Sequence, residues 1–452
     1  MRAWPFLAVL ALQLHCTATA APEDLLLRKV IRAYQITPYE PAQRSMGAKE
    51  RLGQALFFDP FVSGPKSISC ATCHVRSLGA ADGLPLAVGL GGTGVGKERL
   101  ASRSALIVPR NALPFFNRGS KAFVALFWDG RLQLGMDGKI ESPLGKRLPD
   151  GFDSLLAAAA VFPLAEPDEM LGRSLRRSTS KTHHAELVGP EVNSDNFQER
   201  TLSVFTNVVR RLLAPGVLVP EQAVARYRVL FQDAYQGTPL TQIQIHHVGN
   251  ALAAYISLAF ELQIAPWDRY VRGDATALTP DQKKGAMIFF GKGRCAVCHS
   301  GTEFSDFRFH GLAVPQLRVG RNSHHLDYGR ASATGRGQDR FAFRTPPLRN
   351  VVLTGPWGHN GYFKSLMEII EHHGNPVPAL YAAQQHDPVE AEHAGRLLSY
   401  RSPILAEMAP LAKAELGQIL RFLDALSSPT VIADELAIPS DVPSGNREFI
   451  RR

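Results

Sequence analysis

Apolar residues recur at helical spacing or with helical composition in eight stretches of the chain. The pattern predicts helices over 25–34, 154–162, 202–213, 220–234, 243–262, 280–290, 366–373 and 412–426. Period-two alternation is sparse, so strands are expected to be few. Gly- and Pro-rich connectors dominate Ser63 to Pro114 and Leu312 to Gly361. Irregular loops of that length make little sense in a plain helical bundle. They are natural when wrapped around a large bound group.

The first twenty residues depart from this pattern. Arg2 is the only charge before the apolar run Pro5 to Leu14, and Ala18-Thr19-Ala20 supplies a small-x-small cleavage site. This reads as a Sec-type signal peptide, which implies export to the periplasm and removal of Cys16. The full chain has 452 residues, 45% apolar and 20% charged, with no low-complexity run, which is globular composition. No interior stretch is long and uncharged enough to span a bilayer. The formal charge of +9 is scattered along the chain and forms no basic arm or stripe, which argues against a nucleic-acid partner.

Without Cys16, four cysteines remain, all in two copies of one motif: Cys70-Ala71-Thr72-Cys73-His74 and Cys295-Ala296-Val297-Cys298-His299. Two thiols three positions apart reach the two vinyl groups of one haem, and the adjacent His turns its imidazole onto the iron. A zinc knuckle or a thioredoxin-like site also uses Cys-x-x-Cys. Neither requires a His directly after the second Cys. The motifs predict two covalent c-type haems, with His74 and His299 as proximal ligands. Each is preceded by a similar phrase, Arg51-Leu52-Gly53-Gln54-Ala55-Leu56-Phe57-Phe58 and Lys284-Gly285-Ala286-Met287-Ile288-Phe289-Phe290, which suggests a duplicated cytochrome c domain. Residues 265–278 read as the linker between the copies, and the polar stretch 172–200 as a surface insertion.

Further phrases narrow the reading: Leu56-Phe57-Phe58-Asp59-Pro60, Phe127-Trp128-Asp129-Gly130-Arg131, Glu169-Met170, Arg344 to Val351, Leu353-Thr354-Gly355-Pro356 and His359-Asn360-Gly361. On these residues, from about Arg51 to Leu426, the chain resembles the bacterial di-haem cytochrome c peroxidases. That family includes MauG-type enzymes, which oxidise residues of partner proteins. The resemblance implies that the haem at His74 is the peroxide site and that the haem at His299 receives electrons. It implies that Trp128 couples the two. Glu169 matches the acid-base carboxylate that moves a proton between the peroxide oxygens. Its neighbours Leu164, Met170 and Leu171 are expected to raise its pKa by burial; the alternative is that Glu169 is an exposed loop acid, since Glu166 and Asp168 stand beside it. The resemblance also implies a calcium ion between the domains. Thr354 and Pro356 match the carbonyl positions, with a side chain from Ser104 or Asn111.

Three positions depart from the family pattern. Many members place a His in the loop after the first motif to cap the peroxidatic iron; that position falls on Leu90, which cannot ligate. The first haem is therefore expected to be five-coordinate, as in the MauG-like branch. A distal Gln falls on Ala159, removing one hydrogen-bond donor. The distal ligand of the second haem, Met or Tyr elsewhere, falls on His373. That residue also lies on the apolar face of its predicted helix, i+7 from Leu366, i+4 from Ile369 and i+3 from Ile370. His372 is expected to be exposed; it and Met367 are the other candidates.

Together these readings predict an all-α fold of two cytochrome c-type domains, each wrapped around one covalent haem. The division is signal peptide 1–20, N-terminal segment 21–50, peroxidatic domain 51–264, electron-transfer domain 265–430 and tail 431–452. The expected activity is reduction of hydrogen peroxide by electrons from a small periplasmic donor, a c-type cytochrome or a cupredoxin. The alternative is MauG-like oxidation of Trp or Tyr in a partner protein. A plain electron carrier would need two protein ligands on both irons, which the lack of a His near residue 90 disfavours.

Overall fold

Two glycines in equivalent phrases organise the scaffold. The computed structural model describes residues 22–446 apart from 43, 174–182, 190, 194, 217–219, 318–325, 387 and 429–437; the predicted signal peptide and Cys16 lie outside the described residues. The helices are α1 Pro22–Ala33, α2 Ala48–Phe58, α3 Leu155–Val161, α4 His183–Val188, α5 Phe197–Leu213, α6 Glu221–Ala234, α7 Ile245–Ala259, α8 Pro266–Val271, α9 Pro280–Phe290, α10 Leu366–Gly374, α11 Val377–His386, α12 Pro388–Ser399 and α13 Lys413–Ala425, besides single turns such as Cys70–Cys73.

A Cβ at Gly53 on α2 would lie 1.9 Å from the Ala251 carbonyl oxygen of α7. A Cβ at Gly285 on α9 would lie 1.9 Å from the Gln418 carbonyl oxygen of α13. Only glycine lets the paired helices approach this closely. One turn further on, the same offset repeats in aromatic pairs, Phe57–Tyr255 with ring centres 5.2 Å apart and Phe289–Phe422 at 5.1 Å. The duplicated phrase in the sequence is thus a duplicated helix crossing.

All eight predicted stretches are helical, with ends shifted by a few residues. The strands are short and form three small antiparallel sheets, the largest pairing Ala125–Leu126, Leu132–Leu134 and Ile140–Glu141. Two of the connecting stretches carry structure of their own. The stretch read as a linker contains α8, whose Asp268 caps the Ala265 amide and is itself fully buried against Arg349. The stretch 172–200 is not simply a surface insertion: Leu187 and Val188 are buried, and Glu186 pairs with the Arg211 guanidinium at 2.8 Å.

One apolar core gathers α2, α3, α5, α6 and α7, and a second gathers α9 and α13. The chain ends cross over between them. Leu27 of α1 belongs to the second core. Val442, far along the chain, belongs to the first, and Ser444 hydrogen-bonds Asp59 with its hydroxyl and its amide. The halves also share buried polar contacts. Arg110 holds Asp327 through Nε and Nη2 at 2.5 and 2.7 Å, and Arg330 donates to the carbonyls of Asp129 and Gly130.

Candidate functional site

The first Cys-x-x-Cys-His motif forms a single helical turn, with Thr72 accepting from the Ser69 amide. This geometry projects His74 from the end of the turn. Its Nδ1 is hydrogen-bonded to the Ala80 carbonyl at 3.0 Å, and its ring stacks on Phe115 with centres 3.8 Å apart. Burial lowers its pKa to about 4, so the imidazole is neutral, as an iron ligand must be, with hydrogen bonds to the Ala80 and Leu113 backbones orienting the ring. His299 repeats the arrangement: Nδ1 bonds the Phe304 carbonyl at 3.0 Å, and burial again lowers the pKa to about 4. Both accepting residues, Ala80 and Phe304, hold positive φ, 62° and 55°. Such backbone strain in non-glycine residues is concentrated where a side chain must be aimed.

Cys70, Cys73 and His74 line one cavity together with Ala159, Glu169 and Trp128. Glu169 sits in the π-helical turn Pro167–Leu171, a geometry that often marks a functional site. The three neighbouring acids differ in what holds them. Glu166 is bound by Arg131 at 3.0 Å and Asp168 by Arg173 at 2.6 Å, whereas Glu169 is the one that faces the cavity. Leu90 is buried in the adjoining core, and its amide bonds the Asp168 carbonyl, which ties the loop to the acid-bearing turn. Among the described residues lining this cavity, His74 is the only imidazole, and Met170 contributes a thioether.

Cys295, Cys298, His299 and His373 line a second cavity. The rings of His299 and His373 have centres 6.5 Å apart and are inclined by 58°. A metal about 2 Å from a nitrogen of each imidazole needs ring centres about that far apart. His373 spends Nδ1 on the Ile369 carbonyl at 2.7 Å, leaving Nε2 for a ligand. Leu366, Ile369 and Ile370 line the same cavity, as the helical period predicts, whereas Met367 does not. His372 is corrected. It is buried, 2% exposed, and bonds the Leu312 carbonyl at 2.9 Å, because the loop around Leu312 and the Phe363 ring cover that face of α10. Cys298 also lies with Asp306 and His310 in a cluster whose ligand atoms are within 4.8 Å of one another.

Trp128 lines both cavities. Its indole donates to the Asn111 carbonyl at 3.0 Å, and its own carbonyl accepts from the Arg344 amide of the second half. Arg118 and Asn111 also line both cavities. Nη1 of Arg118 and Nη2 of Arg344 are buried without hydrogen-bond partners. Burial, reinforced by Arg344, pushes the Arg118 pKa well down. Buried guanidiniums of this kind want carboxylates, and haem propionates supply them. The residues present therefore fit a haem in each cavity. Arg118 did not stand out in the sequence and Arg344 stood there only as the first residue of a family phrase with no role assigned, because no motif spacing marks a propionate partner. Thr354 and Pro356 line the second cavity. The Asn111 amide nitrogen is committed to the Leu84 carbonyl at 2.7 Å, while Ser104 is exposed and bonds the Ser102 hydroxyl.

Two cavities, each lined by a Cys-x-x-Cys-His motif and sharing the Trp128 indole, thus form two like centres. Comparison with known proteins agrees: residues 47–276 match the di-haem cytochrome c peroxidase family, to which this chain belongs. It is 30% identical over 404 residues to the methylamine utilization protein MauG of Methylorubrum extorquens, spanning 88% of this chain and 90% of that protein. It is 29% identical over 330 residues to cytochrome c551 peroxidase of Pseudomonas aeruginosa, covering 72% of each. Two solved structures share the fold at TM-score 0.56. A MauG-like protein associated with microbial copper homeostasis is 21% identical, with 89% of this chain and 96% of that one covered. The di-haem peroxidase BthA of Burkholderia thailandensis is 20% identical, with 91% and 93% covered. The chain is accordingly a haem-dependent oxidoreductase of the peroxidase type. No helix among the described residues is long and apolar enough to cross a membrane.

Proposed function

We propose that this chain is a periplasmic peroxidase that reduces hydrogen peroxide to two waters with two protons and two electrons from a small donor protein. The observation that carries the reading is the single cavity shared by His74, Glu169 and Trp128, with Trp128 also lining the cavity of His299 and His373. Cys70 and Cys73 would hold one haem by thioethers, and Cys295 and Cys298 the other. His74 would ligate the first iron, and His299 and His373 the second. When bound, the haems supply the iron chemistry that breaks the O–O bond and stores the oxidising equivalents. The chain contributes what surrounds that chemistry. Glu169 takes a proton from one oxygen of peroxide and returns it to the other, so that water leaves. Leu90, at the position where a capping ligand would stand, offers no donor atom to the first site. Trp128, buried and hydrogen-bonded, gives an oxidisable bridge between the sites. A calcium ion would sit on the Thr354 and Pro356 carbonyls with the Asn111 side-chain oxygen.

A second reading keeps the same site but takes the electrons from Trp or Tyr residues of a partner protein. Leu90 and His373 favour it: a first site without a capping ligand would need no prior reduction by a donor, and His/His ligation would lower the potential of the second site and so weaken it as an acceptor from an ordinary cytochrome. Stopped-flow absorbance of the untreated ferric holo-protein with hydrogen peroxide, with and without a reduced small c-type cytochrome, separates the readings. Rapid oxidation of the cytochrome supports the peroxidase. Rapid reaction with peroxide followed by little cytochrome oxidation supports the protein oxidase. No reaction with peroxide overturns both.

A further inference from the structure

Alanine at 159 leaves the cavity around Glu169 without an amide donor from α3. The same lining contains Arg131, whose side chain is only 10% exposed. Its guanidinium lies over the Phe127 ring, 4.3 Å from the centre, with Nη1 on Glu166 at 3.0 Å. Nε is buried, stands 3.7 Å from Asp129 and makes no hydrogen bond. The Asp129 Oδ1 facing it accepts from the Arg131 backbone amide at 3.1 Å, and Oδ2 is engaged by Arg110 at 2.7 Å. A buried N–H of a charged group left unpaired is costly, and it persists where a ligand will complete it. Burial works against the charge on Arg131, but Asp129 and then Glu166 more than offset it, so the guanidinium stays protonated.

We propose that Arg131 is the anion-binding group of the first cavity, donating to a small anionic or peroxidic ligand beside Glu169 in place of the amide missing at position 159. This rests on the reading of the first site as open. The donor comes from the loop after Trp128 and is held on the Glu166 carboxylate, three residues before Glu169. One contact therefore fixes both the proton carrier and the charge that receives the ligand. The ligand class is small anions and their conjugate acids: peroxide, cyanide, azide, fluoride.

The test is a cyanide titration of the ferric holo-protein followed by absorbance, with the spectrum of the second haem as an internal check of folding. Arg131→Leu should weaken cyanide binding by about 10- to 100-fold, the worth of one hydrogen bond to a charged group. Arg131→Lys should keep most of the affinity, and the double variant Arg131→Leu/Ala159→Gln should recover at least part of it. Unchanged affinity in Arg131→Leu would overturn the proposal. So would equal losses in the Leu and Lys variants with no recovery when Ala159→Gln is added, since that pattern belongs to a purely structural arginine. Wild-type protein that takes no cyanide at all would sink the open-site reading and this proposal with it, whereas failure of the variants alone leaves that reading standing.

Discussion

At the scale of single residues, the site works by assigning different partners to similar groups. Glu166, Asp168 and Glu169 are neighbours in sequence, yet the first two are tied to Arg131 and Arg173 and only the third lines the cavity. Proton transfer by a positioned side chain is worth about 10²–10⁴ in rate. Glu169→Gln should therefore slow the reaction of the ferric protein with peroxide by a factor in that range, while Asp168→Asn changes it by no more than a few-fold. Stopped-flow traces of the first haem at saturating peroxide decide it; equal effects of the two substitutions would remove Glu169 from its role. The two adjacent histidines of α10 divide in the same way. His373 faces the second cavity with Nε2 free, and His372 is spent on the Leu312 carbonyl.

At the scale of elements, the glycine crossings carry the architecture. Replacing Gly53 or Gly285 by Ala puts a methyl into a backbone carbonyl, which no rotamer change can relieve, so the paired helices must move apart. Overpacking of this kind costs about 1–3 kcal/mol. Chemical denaturation of holo-protein carrying either substitution should show a loss in that range, whereas Ala at Gly417, inside α13 with nothing within 4 Å of its Cβ, should gain up to about 1 kcal/mol from helix propensity. These elements also mark what the sequence made legible. The duplicated phrases before each motif were readable because the same packing constraint acts twice. The cavity-facing side of α10 was readable because period 3.6 puts Leu366, Ile369, Ile370 and His373 on one stripe. Helices α11 and α12 were not, since they begin beside Pro376 and Pro388 and present exposed apolar residues, Val377, Tyr381 and Leu398, that blur the stripe. His372 was misjudged for a different reason. Its burial comes from a loop sixty residues earlier, and no local pattern encodes such a return.

At the scale of the whole molecule, the two halves are interlocked by chain ends that cross and by charges buried at their junction. Arg110 is shared by Asp129 of its own half, at 2.7 Å, and Asp327 of the other. Burial alone would raise the Asp327 pKa, but Arg110 outweighs it and brings the value down to about 2. The sign follows. A carboxylate whose folded pKa is depressed contributes stability above its unfolded pKa of about 3.9, and that contribution is lost as pH falls from there toward 2. Asp327→Asn should cost stability at pH 7, where removing one partner of a buried pair is worth about 3–5 kcal/mol, and toward the low end here because Asp129 still compensates Arg110. The variant should also lose less than wild type on acidification from pH 4 to pH 2. Denaturant midpoints of the holo-protein at pH 7 and through that acid window test both statements, and parallel acid curves for the two proteins would show that the junction is not held by this carboxylate.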